Sequence, residues 1–124
     1  MGVIDFETFQ SKRSTFKIYV GGFKTSLDDK ANTYYVDTPN GSDSLVLKIV
    51  NELLRSKYNQ TTFCCHNLGG FDVLFLLKVL IDYNESQIDK YIIGTRFKNY
   101  RILSITMTKG GNKFTIKHST LCYV

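Results

Sequence analysis

The sequence predicts a mixed α/β or α+β domain, a sheet with helices laid on it, and three observations carry that reading. Segments rich in β-branched and aromatic residues open the chain and return at its end, two stretches with helical apolar spacing lie between them, and turn formers fall at the joints. The resulting order is βββαβα followed by a β-hairpin. At 124 residues there is room for one domain, residues 1–124, with a core of its own.

Residues 2–6 read as a short strand, and TFKIYVGGF at 15–23 and NTYYVD at 32–37 as two more, with the Gly21-Gly22 pair as a bulge. TPNGSD at 38–43 holds the single proline in a cluster of turn formers. Behind it, apolar residues at 45, 46, 49, 50, 53 and 54 keep helical spacing, with Ser42 or Asp43 as the N-cap. TTFCCHN at 61–67 reads as a buried strand and Gly69-Gly70 as a turn. Residues 71 to about 83 form a nearly all-apolar helix that needs cover on several sides. From Tyr91 the period returns to two, in YIIGTRF and then in RILSITMT and KFTIKHS, which the KGGN turn joins into a hairpin.

Hydrophobic residues make up 43% and aromatics 14%, which fits a globular chain and argues against disorder. No apolar run approaches the roughly 18 residues of a membrane span. The longest, VLFLLKVLI at 73–81, is short and broken by Lys78, so no membrane partner is expected. MGVIDFETF has neither a basic leader nor a cleavable apolar segment, and an intracellular setting, or synthesis inside an organelle, is expected. The net charge of +5 favours a phosphate-rich partner. The three cysteines are odd in number and none forms a CxxC pair, so they are expected as reduced thiols packed in strands rather than as a disulfide or a zinc site.

GVIDFETF places Asp5 and Glu7 two residues apart at the end of an apolar strand, where alternation points both to one face. Asp72 opens the apolar helix, where free N–H groups and the positive dipole end compensate a carboxylate. Each acid has a plain structural explanation, as a helix-start aspartate or as strand-end acids facing water. The functional alternative is convergence on divalent metal, since hard Mg²⁺ or Mn²⁺ prefers carboxylate oxygen. Around Asp72 stand His66, Asn67 and Phe71; an amide can hydrogen-bond a phosphate or nucleotide, and a ring can stack on a base of a single strand.

Taken together, DFET and HNLGGFD, in this order and about 60 residues apart, resemble the first and second exonuclease motifs of family B DNA polymerases, most closely the protein-primed branch of small phages and linear mitochondrial plasmids. The resemblance covers the whole chain but only part of the family's domain. It implies a ribonuclease-H-like 3′–5′ exonuclease fold at the amino-terminal end of a DNA-directed DNA polymerase. It makes Asp5, Glu7 and Asp72 catalytic acids that bind two Mg²⁺ or Mn²⁺ ions. His66, with Thr8, Asn67 and Phe71, becomes a contact to the single-stranded DNA 3′ end of a primer-template.

TIKHST at 115–120 resembles a later stretch that holds the primer strand, which implies a DNA contact for Ser119, although the family's usual aspartate before that serine is His118 here. The third motif, with its tyrosine and further aspartate, is expected beyond Val124, and Tyr123 is no substitute because no acid follows it. The chain by itself is therefore expected to be weakly active or inactive, and extension to raise activity by orders of magnitude. The resemblance also implies the remainder of the polymerase and a terminal protein primer as partners, and a mitochondrial, plasmid or phage setting. The rival readings are a stand-alone nuclease of the same fold and an inactive polymerase-gene remnant that binds single strands without cutting them.

Overall fold

The computed structural model describes residues 1–10, 16–36, 41–66, 68 and 71–122. The elements in order are β1 (Gly2–Gln10), β2 (Phe16–Thr25), β3 (Asn32–Tyr35), α1 (Ser42–Leu53), β4 (Thr61–Cys65), α2 (Phe71–Ser86), β5 (Ile92–Lys98), β6 (Arg101–Lys109) and β7 (Asn112–His118). A 3-10 turn, Ser56–Tyr58, precedes β4, and another, Ser119–Leu121, follows β7. All seven strands form one mixed sheet in the order β3-β2-β1-β4-β7-β6-β5. β1, β4 and β7 run parallel, and the flanking strands pair antiparallel.

Alternation along the strands decides which face is covered. Ile4, Phe6, Ile18, Phe23, Phe63, Ile105, Met107, Phe114 and Ile116 are buried with Leu45, Val46, Ile49, Val50 and Leu53 of α1 and Val73, Leu76, Val79 and Leu80 of α2. Each large side chain so buried is worth about 1.5–3 kcal/mol. Phe63 meets Phe23 and Phe114 edge to face, with centroids 5.9 and 6.1 Å away, joining the halves of the sheet. Both helices touch β2 and each other, so they share one face of the sheet.

Several expectations change. The pair Gly21-Gly22 sits in regular register opposite Phe6 and Asp5, and the slip lies between Glu7 and Thr8. Gly21 is needed for packing instead, because a Cβ there would stand 2.6 Å from Ile49 Cδ1 and 2.9 Å from Phe6 Cδ1. Gly41 is the N-cap of α1, while Ser42 lies inside the first turn, buried. α2 is covered on one side only, and Leu74 and Ile81 stay about half exposed because the architecture has two layers. The terminal hairpin is a three-stranded meander, since β5 pairs with β6 through an Asn99-Tyr100 turn.

The cysteines are the largest correction. Cys64 on β4 and Cys122 beyond β7 are joined as a disulfide, with their Cα atoms 6.2 Å apart, and Cys65 is a buried thiol outside that bond. Alternation sends Cys65 into the core and Cys64 to the opposite face, where the chain leaving β7 folds back over it.

Candidate functional site

Asp5 and Glu7 are exposed while their neighbours Ile4 and Phe6 are buried, so the two carboxylates stand together on the face without helices. They line an open cleft of about 420 Å³ with Val3, Gly22, Lys24, Thr33 and Tyr35. Asp5 pairs across the ladder with Gly22, whose missing side chain leaves room beside the carboxylate. The Tyr19 hydroxyl donates to Glu7 Oε2 at 3.2 Å. That bond, reinforced by the carboxylate's charge, raises the Tyr19 pKa. Tyr19 reaches Glu7 because it is the extra residue where Glu7 pairs with Val20 but Thr8 with Ile18. Nothing in the sequence marks that slip.

Topology brings the remaining motif to the same end of the sheet. The last β1–β4 pair is Val3 with Cys64, and beyond it β1 runs on through Asp5 while β4 ends at Cys65 and exposed His66 follows in a turn. The chain then anchors through fully buried Leu68 and starts α2 at Phe71, with Asp72 in the first turn. Asn67 and Gly69-Gly70 lie outside the described residues, as do the side chains of Phe71 and Asp72. In parallel sheets the carboxyl ends of the strands, where connections diverge, form the crevice that takes a ligand.

Ser119 is half-buried and lines a neighbouring cleft of about 510 Å³ with Cys64 and Cys122; Val3 and Lys24 border both clefts. Thr8, half-buried opposite fully buried Ile18, is not brought to the acids' cleft. His118 ends β7 beside Cys65.

The donor set fits a hard divalent cation: two exposed carboxylates face one way, and neither is ion-paired among the described residues. Among those residues no group of three His, Cys, Asp or Glu side chains that could hold a metal comes together. The candidate third carboxylate is that of Asp72.

The chain is similar to two proteins, each named "Probable DNA polymerase". It is 38% identical to that of Podospora anserina over 99 residues, 76% of this chain and 8% of that protein. It is 26% identical to that of Agaricus bitorquis over 131 residues, 94% of this chain and 16% of that protein. The chain thus spans less than a fifth of the length of either relative. No family model and no solved structure matches it.

Proposed function

We propose that this relative of DNA polymerases is part of a ribonuclease-H-like 3′–5′ proofreading exonuclease domain of the protein-primed kind, acting on single-stranded DNA ends. The observation that supports it most is the pair Asp5 and Glu7, exposed in an open cleft beside the point where β4 departs toward the helix that begins with Phe71-Asp72. The order of the mixed sheet, with three parallel central strands and an antiparallel flank on β1, is consistent with that fold.

In this reading Asp5, Glu7 and Asp72 hold divalent cations. Two Mg²⁺ or Mn²⁺ ions would supply water activation and charge stabilisation at the scissile phosphodiester. The Tyr19 hydroxyl fixes the Glu7 carboxylate, and the positive end of α2 offsets the charge gathered around Asp72. The cleft beside Gly22 leaves space for a terminal nucleotide, and Ser119 stands in the adjoining cleft, where the strand would lead away. The product would be a deoxynucleoside monophosphate.

The test is hydrolysis of a 3′-labelled single-stranded oligonucleotide with Mn²⁺ or Mg²⁺, in the chain, in a carboxyl-terminally extended form, and in each with Asp5→Ala/Glu7→Ala. Metal-dependent release of label in the extended form, abolished in its variant, is expected, with far less release from the chain alone. Release that survives the double substitution refutes the assignment of the acids. No release from any folded form favours a remnant that binds without cutting.

A further inference from the structure

The sheet ends in two edges of unequal kind. β3 is only four residues long, and a short edge offers little to a passing chain. β5, the other edge, runs for seven residues, Ile92–Lys98, all exposed except half-buried Ile93. Along its outer side a row of backbone N–H and C=O groups has no strand beside it among the described residues. Two usual safeguards of an edge are missing. β5 contains no proline, and the slip in its pairing with β6 puts the extra residue, Leu103, on β6, so β5 itself stays regular.

The safeguard that is present is charge. Ile93 pairs with buried Met107 and Thr95 with buried Ile105, so Ile92, Gly94, Arg96 and Lys98 alternate onto the face without helices. Neither Arg96 nor Lys98 is ion-paired among the described residues. From Lys90 to Val124 there are seven Lys or Arg and no Asp or Glu. Two copies joined edge to edge would therefore gather their cations in one ladder with no acid between them. The charge that keeps a second copy away favours an acidic strand.

Gly94 adds a shape to that preference. Its φ lies outside the left-handed region, and a Cβ there would come no nearer than 3.9 Å to Thr106. Neither the backbone nor packing within the chain calls for glycine at this position. In a strand such a glycine leaves a notch that a ring on the next strand can cover.

We propose that the β5 edge docks an extended acidic segment of another protein, added antiparallel as a further strand, with its acids opposite Arg96 and Lys98 and an aromatic side chain over Gly94. Backbone hydrogen bonds supply the affinity, and alternate side chains supply the choice of partner. The contact uses neither the acids' cleft nor metal, so it goes beyond the exonuclease reading and does not depend on it.

The experiment is fluorescence anisotropy in EDTA with the full chain. The probe is a labelled heptapeptide with glutamate first and third, tyrosine fifth, and valine or threonine elsewhere. Antiparallel pairing then sets its acids against Lys98 and Arg96 and its ring against Gly94. Two control peptides carry either lysine in place of glutamate or methylated backbone nitrogens, the latter keeping every side chain but unable to donate to the edge. The expected result is binding of the acidic peptide, weakened about tenfold or more by either change. Arg96→Glu/Lys98→Glu, at two exposed positions, should reverse the preference and bind the lysine peptide, a gain that a misfolded variant would not show. No binding of the acidic peptide by the parent, equal binding of the methylated peptide, or a variant that keeps the parent's preference would each overturn the proposal. A parent that is dimeric in sedimentation and takes up peptide only as it dissociates would overturn it too, giving the edge to a second copy.

Discussion

Breaking the Cys64–Cys122 bond is expected to be the costliest single change made to this protein without touching its core. The bond joins residues 58 apart in sequence. In the chain-entropy account, a loop of that size restricts the unfolded chain by roughly 14 cal/mol/K, or about 4 kcal/mol at 25 °C. The native side of the balance changes little, because both cysteines are only half-buried and the thiols can stay where the sulfurs are. Unfolding in urea can be followed by tyrosine fluorescence, as the chain has eight Tyr and no Trp. With a slope of about 1.5 kcal/mol/M, reduction or Cys122→Ser should lower the midpoint by nearly 3 M. Cys64→Ser should cost the same, and the two together no more than one, since the bond is lost once. Midpoints that coincide with and without reductant would refute the reasoning, as would alkylation of three thiols in the denatured, unreduced chain.

Two further perturbations test the packing around the site. Asp28 accepts hydrogen bonds from Thr25 N and Oγ1, from Lys57 Nζ at 3.0 Å and from the Tyr58 hydroxyl at 2.7 Å. Burial alone would raise its pKa, but these donors together hold the carboxyl well below the usual range. A depressed folded-state pKa gives stability that is present above the unfolded value of about 3.9 and lost as pH falls toward the folded one. Asp28→Asn should therefore cost about 2 kcal/mol at pH 7 in urea unfolding, with the gap from the parent narrowing below pH 4. Gly21→Ala should cost about 1–3 kcal/mol by overpacking against Ile49 and Phe6, and adding Ile49→Val should recover part of it in the same assay.

Much of the fold was legible because period and composition report burial directly. The strands from 15–23 and 32–37, the helix over 45–54 and the KGGN turn all appear near their expected places, since each depends on neighbours in sequence. Features set by packing between distant elements were not legible. Gly21 is small because Ile49 of α1 presses on it, and no local signal separates that from a bulge. The disulfide joins strands whose approach depends on the whole sheet, so spacing alone could not pair Cys64 with Cys122. At the site, alternation placed Asp5 and Glu7 on one face, as the structure has them. The Tyr19 partner of Glu7 depends on a slip in register and left no trace in the sequence.

The two acids also carry a thermodynamic consequence that can be measured without substrate. Side chains two apart on a strand stand about 7 Å from each other, and two negative charges at that distance in water repel by about 0.6 kcal/mol, less with salt. Among the described residues neither is ion-paired, so that repulsion is not offset by an ion pair. A divalent cation held between them removes it and adds its own binding free energy, which for a single site is RT ln(1 + [L]/Kd), or about 1.4 kcal/mol at tenfold excess over Kd. Mn²⁺ should therefore raise the unfolding temperature of the parent by a few degrees. In Asp5→Asn/Glu7→Gln the metal-free protein should be slightly more stable than the parent, and Mn²⁺ should no longer raise its unfolding temperature. A Mn²⁺ response that persists in the variant would place the metal elsewhere. No response in either would mean that these two carboxylates do not hold the ion in this chain, with Asp72 too far from them or another acid needed to complete the set.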